Sequence, residues 1–486
     1  GKWPKTRTLN CYFSTLNRRK YMIPCFFSTF VPGISQVSMS PHAVTESSPL
    51  EDLTRKLSAD VEALSEYIRS TGGAQPSFER GSPPSVLPRN APPEAQEARE
   101  RIMDQCLKIL QLATGPNDYM INMQTNYQYV ACLQWLCHFD IFRLVPSKGG
   151  ISYTDLAGLA GCTETRLKSV VRMSMTTGLF LEETPQHVSH SATSALFAAS
   201  EDHRTWAAYA TDVLAPVAAG MAEAHERWSF VDGSSEKKRT QTAYNVAFGH
   251  NLSFFDRVGQ DPALHKQFAG YMRALATNPG THIRHLVDGL EWGRHPNATV
   301  VDVGGSTGHS SIALAQAYPN LQFVVQDLPE VVEGGPKILA GVPDASITSR
   351  IQYQAHSFFE PNPVVGADFY LLRLILHDWG AEDCVRILKA IVPAMRSTNR
   401  NRSRDSGSTI VIMDSVLPAP GSVPRSVERV VRVRDLTMTQ VFNSQERAIE
   451  DWEAILEKAD PRLEITAVSK PIGSVLALIQ VVLVAQ

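Results

Sequence analysis

The sequence predicts an α/β protein: a mostly parallel, seven-stranded sheet in the C-terminal part, preceded by a helical region that ends in a winged helix. Three observations predict this. From Asn297 onward, short apolar runs alternate with helical patterns, which is the βαβα signature of a parallel sheet. The last two of those runs follow each other with no helix between them. Upstream, residues 152–190 read as helix, turn, helix and hairpin, in the order of a winged helix.

Taken in order, the elements begin with a basic leader. Residues 1–45 hold Lys2, Lys5, Arg7, Arg18, Arg19 and Lys20 and no acid, the first carboxylate being Glu46. Two readings fit it: a basic, acid-poor targeting segment, or an untranslated leader with Met22 or Met39 as the true start. The formal net charge of −3 therefore conceals a remainder at −9. An acidic chain that is 43% hydrophobic and 20% charged is globular and gives no footing to bulk nucleic-acid or anionic-membrane binding. The seven scattered cysteines contain no C-x-x-C pair, which fits a reducing, cytoplasmic setting rather than a zinc cage or disulfide framework. Val475 to Ala485 is the longest apolar run near an end, and it is too short to span a bilayer.

Residues 49–72 repeat apolar positions at helical spacing, and residues 74–93 are a Pro-, Ser- and Gly-rich linker, so 46–93 is read as a helix with its linker. The helical pattern resumes at Glu94 and breaks at Gly115-Pro116, and 94–190 is read as one helical winged-helix domain. Thr163 is the expected N-cap of its second helix. That helix offers only Arg166, Lys168 and Arg172 to a nucleic acid, so a dimerisation or lid role is favoured over DNA reading. Residues 191–295 are helical and rich in Ala, Met and aromatics, a composition that suits a core or the wall of a flat aromatic ligand. The catalytic-type domain is placed at 296–486. Its strands are read at Thr299–Val303, Gln322–Gln326, Ile351–Gln354, Asp368–Leu372, Thr409–Leu417, Leu463–Ser469 and Val475–Ala485. The Arg-rich stretch 396–404 is read as a solvated loop between helix and strand, and the basic run Arg425–Arg434, interrupted by Glu428, likewise needs no nucleic acid.

The chemistry gathers at strand ends. Val300-Val301-Asp302-Val303-Gly304-Gly305-Ser306-Thr307-Gly308-His309 leaves a strand and opens a helix, and its small residues let backbone N–H groups approach a ligand. Asp302 at the strand end suits a ligand carrying a cationic amine. Asp327, with Leu328 beside it, closes the next strand, where an acid can take both ribose hydroxyls. The pair points to an adenosine-containing cofactor. A dinucleotide fingerprint fits poorly, because positions 306 and 309 are Ser and His. His377 lies beyond the carboxyl end of another strand, beside Asp378 and Trp379, where open α/β sheets bind ligands.

With these residues in place, the chain resembles the S-adenosylmethionine-dependent O-methyltransferases of the plant caffeate type and of fungal secondary metabolism. The motifs are VDVGGSTGHSS, VVQDLP, YLLRLILHDW, IVIMDSVLP and NSQER, and the match runs over roughly residues 95–486. The resemblance implies a class I methyltransferase with a Rossmann-like sheet behind an N-terminal winged-helix dimerisation domain. It further implies S-adenosylmethionine as cofactor, a homodimer, and a small aromatic or polyketide acceptor methylated on a phenolic hydroxyl. By the same resemblance His377 is the general base, with Asp414 and Glu446 as its supporting acids. Gly304, Gly305, Asp327 and Leu328 serve the cofactor, with Ser357 and Phe358 beside the adenine and Arg373 where plant members have a Lys. Met272 and Met438 match methionines that sandwich the acceptor ring, and Asn443 lies near it. Two positions depart from the pattern. Ser357 stands where members carry Asp, and Ala274 to Thr277 lack the polar residues of plant members. A catalytically silent methyltransferase-like partner is the competing reading, which Ser357 favours and intact His377, Asp414 and Glu446 oppose. An NAD-type oxidoreductase is a third, opposed by His309.

Overall fold

A seven-stranded sheet organises the computed structural model, which describes residues 47–88, 90–228, 235–294, 297–397 and 407–485. The leader 1–45 and most of the Arg-rich stretch 396–404 lie outside the described residues. The sheet's strands are β3 (Thr299–Val303), β4 (Gln322–Asp327), β5 (Ile351–Ala355), β6 (Phe369–Arg373), β7 (Thr409–Asp414), β8 (Leu463–Ser469) and β9 (Ala477–Leu483). Their spatial order is β5-β4-β3-β6-β7-β9-β8. The first five are parallel, and β9 runs antiparallel to both β7 and β8. This is the class I methyltransferase arrangement. β6 and β7 are buried on both faces, as parallel strands covered by helices must be, so they read as continuous apolar runs. The final strand is shorter than its apolar run predicts. Val475 and Leu476 lie outside the ladder, in a segment whose Val475 N–H bonds to Gly280 O at 2.8 Å.

Two apolar layers flank the sheet. One joins Ile387, Leu388, Trp452 and Leu456 from the helices Ala381–Ile391 and Ile449–Ala459 to Tyr370, Ile410 and Ile479. The other sets Leu314 and Trp292 against Val300, Phe323 and Val411.

The N-terminal part opens on α1 (Pro49–Ser70), which begins with a capping box between Ser48 and Glu51. It packs against α2 (Pro93–Thr114), where Asp60 takes bonds from Arg101 and Gln105. The intervening linker docks on the chain: Phe78 O accepts the N–H of Ala192, and Glu79 bridges Ser191. α3 (Tyr119–His138) follows. Next comes the unit read as a winged helix. Strands β1 (Ile151–Ser152) and β2 (His187–Val188) pair antiparallel around helices Tyr153–Ala160 and Glu164–Met175. Thr163 occupies the N-cap of the second helix but makes no side-chain cap bond, whereas Ser152 caps the first. The return strand is only a bridge, Leu181 to Ser189.

No described helix is long and apolar enough to cross a membrane. Among the described residues no group of His, Cys, Asp and Glu is arranged to hold a metal ion.

Candidate active site

The sheet's connections reverse direction at β3, with β4 and β5 on one side and β6 and β7 on the other. A ligand crevice forms at such a switch point, outside the carboxyl ends of the strands. Asp302, Asp327, Arg373 and Asp414 all stand at those ends.

The glycine loop is shaped by backbone geometry. Gly304 and Gly308 have φ of +69° and +85°, which favours glycine. A Cβ on Gly305 would sit 2.6 Å from the Asp302 carboxyl carbon, so no larger residue fits under the loop. Asp302 itself is buried, accepts the Ser311 hydroxyl at 2.7 Å, and is pushed up to about 6 by burial. Its carboxylate thus ties β3 to the helix that the loop opens. Asp327 accepts the N–H of Ser306 and of Leu328, each at 2.8 Å. Burial raises its pKa, the two backbone N–H bonds pull against that rise, and Glu330 adds to it. Arg373 donates to Thr281 O at 3.1 Å, while its Nε is buried without a partner. Burial lowers its pKa, against the pull of Asp302 and Asp414. Phe358, Phe359 and Trp379 form an edge-to-face aromatic cluster beside the loop, and Ser357 turns the chain into it, its hydroxyl accepting the Phe359 N–H at 3.4 Å. Shallow glycine loop, ribose-type acid and aromatic wall fit S-adenosylmethionine. Asp327 has the chemistry to accept two ribose hydroxyls, and the aromatic cluster the apolar character to meet an adenine.

His377 is delivered by a kink. Leu374 takes φ +56° as the chain leaves β6, and a 3₁₀ turn, Leu376–Asp378, follows. Left-handed backbone at a leucine is held only where the surroundings fix it. The ring is buried, with Nδ1 3.1 Å from Glu446 Oε1 and Nε2 3.6 Å from Asp378 Oδ1. Burial works against its charged form, but Asp378, Asp414 and Glu446 outweigh burial and raise its pKa to about 9. Glu446 also lies 3.3 Å from Arg434 Nε, and Arg434 reaches the Ser415 hydroxyl at 2.9 Å. Burial alone would raise Glu446, yet His377, Arg434 and Arg447 hold it below the ordinary carboxylate range. Asp378 is pushed up to about 6 by burial. Asp414 goes to about 7 for the same reason. The cluster therefore shares protons, and its titration belongs to the group rather than to any one member.

The structure sorts the residues singled out in the sequence. His377 and Glu446 are brought into direct contact. Asp414 is buried in the same cluster, but both its carboxylate oxygens are without a hydrogen-bond partner, so it acts on the imidazole through charge alone. Met438, half-buried, and Met272, 37% exposed, sit on the helices Arg425–Phe442 and Pro262–Thr277. Asn443, expected near the acceptor, lies at the end of the first of these helices. It ends its helix at φ +51°, and its amide donates to Lys238 O at 2.6 Å and Gln241 O at 2.8 Å. The side-chain N–H groups are thus committed to backbone, as suits Asn at a helix end.

Three residues enter that sequence reasoning passed over. Asp378 faces Nε2; its only signal was adjacency to His377. Arg434 belongs to the basic run noted in the sequence and is mostly buried against Glu446. Tyr271, next to Met272, stacks on Tyr209 with centroids 4.4 Å apart, and Arg434 acts on its phenol.

Residues 228–460 match the family model of the O-methyltransferase domain. Residues 47–114 match the N-terminal domain described for the trypacidin cluster transcriptional coactivator tpcD. O-methyltransferase aoiF of Aspergillus oryzae is 51% identical over 89% of this chain and 99% of its own length. O-methyltransferase bik3 of Gibberella fujikuroi is 45% identical over 90% and 93%. Among solved structures, OxaC covers 89% of this chain and 98% of its own at a TM-score of 0.67 and 19% identity, which shows a shared fold. A protein described as a pericyclic reaction enzyme covers 88% and 100% at 0.64 and 24%, so the fold alone does not set the chemistry. Sequence identity over nearly the whole chain does set the family. The chain belongs to the S-adenosylmethionine-dependent O-methyltransferases, the family of these fungal enzymes.

Proposed function

We propose that this enzyme methylates a phenolic hydroxyl of a small aromatic or polyketide secondary metabolite, with His377 as general base. The observation that carries this is the buried His377–Glu446 contact at 3.1 Å. Glu446 accepts the Nδ1 proton and so leaves Nε2, beside Asp378, as the nitrogen that takes a proton. A phenol, with a pKa of about 10, is a poor nucleophile at neutral pH. An imidazole raised to about 9 is nearly matched to it, so the proton moves almost level from oxygen to Nε2 during attack. The imidazolium that forms is then stabilised by the carboxylates of Glu446 and Asp378. When bound, S-adenosylmethionine supplies an activated methyl group on a cationic sulfonium. Asp327 would hold the ribose, Gly304 and Gly305 the backbone approach, and Phe358 and Ser357 the adenine side. Met272 and Met438 would bracket the acceptor ring, with Tyr209 and Tyr271 as an aromatic wall. Asn443 would shape that wall through its hold on residues 238 and 241.

Transfer of a labelled methyl group to a panel of phenols, followed across pH, tests the proposal. Only neutral imidazole takes a proton, so turnover should rise with pH through a midpoint near 9 and level off above it. Asp378→Asn removes a negative charge that favours the imidazolium. The acid limb should then move to lower pH, by about one unit. A limb that stays put or moves upward refutes the assignment, and cofactor binding with no transfer to any phenol supports a silent partner instead.

The active species is proposed to be a homodimer, with a cytoplasmic location consistent with its free cysteines. Leu110 on α2 and Tyr119, Met120, Ile121, Tyr127 and Val130 on α3 are all exposed. Clustered exposed apolar side chains usually mark an interface. Light scattering should give a dimer for the wild type and a monomer for the Ile121→Asp/Tyr127→Asp double variant. A wild-type monomer at micromolar concentration overturns it.

A further inference from the structure

The break that carries His377 out of β6 leaves two inward-facing carbonyls, Leu376 O and Trp379 O, bracketing the base. We propose that Arg447 is the positioning residue that sets the backbone of the base, as Glu446 sets its ring. This inference rests on His377 being the base. Arg447 Nη1 donates to Leu376 O at 2.9 Å, and Nη2 donates to Trp379 O. The side chain is 1% exposed, lies over the Trp452 ring at 5.2 Å, and leaves its Nε without a partner. Its own backbone is fixed to the extension of β7: Arg447 bridges Val416, and Leu417 N–H donates to Arg447 O at 2.9 Å.

A planar guanidinium offers two donors in a fixed fork, so it spans two carbonyls three residues apart; a lysine ammonium is a point charge on a flexible stem. The pairing of carbonyl oxygens with a buried cation is therefore geometric, and no carboxylate shares the fork. Two weaker donors touch the same carbonyls. Ser444 Oγ donates to Trp379 O at 2.8 Å, and Cys384 Sγ reaches Leu376 O and Trp379 O at 3.2 and 3.3 Å. These keep the turn folded when the fork is lost, and they make Arg447 separable from simple stability. The segment 444–447 thus holds the imidazole twice, by ring and by backbone, from one short loop after the helix Arg425–Phe442. Arg447 also acts by charge on Glu446, helping to keep that acid ionised.

The test is Arg447→Lys, which keeps the charge and loses the fork. A base displaced by a fraction of an ångström to an ångström loses on the order of 10- to 100-fold in rate. The expected result is a kcat loss of that size with KM for S-adenosylmethionine within about twofold and the acid limb of the pH profile unmoved. Arg447→Gln should lose kcat and also move the limb to higher pH, because a positive charge near the imidazole is gone. Ser444→Ala, which removes one donor to the same carbonyl and little bulk, should show a smaller kcat loss with the same unchanged KM, and it serves if the arginine variants fail to fold. A folded Arg447→Lys enzyme with wild-type kcat, or one whose loss lies wholly in KM, overturns the proposal. So does full kcat in Ser444→Ala where no arginine variant folds. His377→Ala is assayed alongside. If that enzyme keeps full turnover, the base assignment fails and Arg447 falls with it; if it is dead while Arg447→Lys is fully active, only the role of Arg447 fails.

Discussion

His377→Ala should lower methyl transfer by about 10³-fold at neutral pH, within the range that a positioned base contributes, while S-adenosylhomocysteine binds as in the wild type. The separation follows from geometry. His377 hangs from the turn after β6 and touches Glu446 and Asp378, whereas the glycine loop and Asp327 belong to β3 and β4. Glu446 keeps its contact with Arg434 when the ring is removed, so the cluster does not lose all compensation. Without a base, the reaction must wait for phenolate formed by solvent. At pH 7 that is on the order of one molecule in a thousand for a pKa of about 10. The variant's rate should therefore follow the phenolate up to a pH of about 10, whereas the wild type levels off above its midpoint near 9. Single-turnover transfer measured from below pH 7 to above pH 10 checks both the size of the loss and its partial recovery above pH 9. Full turnover in the variant at pH 7, or a loss that does not shrink above pH 9, refutes general-base catalysis by this residue.

Much of the fold was legible because strands and helices announce their period locally. Thr299–Val303 and Leu463–Ser469 stand in the structure as read, Gln322–Asp327, Ile351–Ala355 and Phe369–Arg373 differ by one residue at one or both ends, and Thr409–Asp414 stops three residues short of Leu417. Where an apolar run overreached, as at Val475 and Leu476, the residues are covered by packing rather than by pairing, and periodicity cannot separate the two. The site was legible only to the extent that its residues lie at strand ends or carry a motif. Asp378 and Arg447 flank residues that were singled out, yet nothing local says that Asp378 faces Nε2 or that Arg447 reaches back 71 residues to Leu376 O. Arg434 was hidden differently. In a run of arginines on an amphipathic helix, one member turns inward, and charge counting treats it like its neighbours. Asn443 ends that helix in the left-handed region, a backbone geometry that a motif resemblance does not carry.

Asp327→Ala should weaken S-adenosylhomocysteine binding by on the order of 10²-fold or more, with little loss of folding stability. Two hydrogen bonds to a charged acceptor contribute about 1.5–3 kcal/mol each, and 10²-fold corresponds to about 2.7 kcal/mol. The carboxylate is positioned for this by its own backbone neighbours, since the N–H groups of Ser306 and Leu328 orient its two oxygens at 2.8 Å. Those bonds also hold the glycine loop against β4, so part of the effect could arise from a loosened loop rather than a lost ribose contact. Asp327→Asn separates the two. It retains one oxygen for a backbone N–H and loses the charge, so it should keep the loop and still bind tens of fold more weakly. Gly305 N–H remains bonded to Gln326 O at 3.0 Å in either variant, which anchors the loop independently. Calorimetry with S-adenosylhomocysteine and with its 2′-deoxyribose analogue completes the test. The wild type should discriminate strongly against the analogue and Asp327→Asn hardly at all, because the discrimination comes from the acid and the hydroxyl together. Equal affinity of wild type and variant for S-adenosylhomocysteine, or undiminished discrimination in the variant, places the ribose elsewhere.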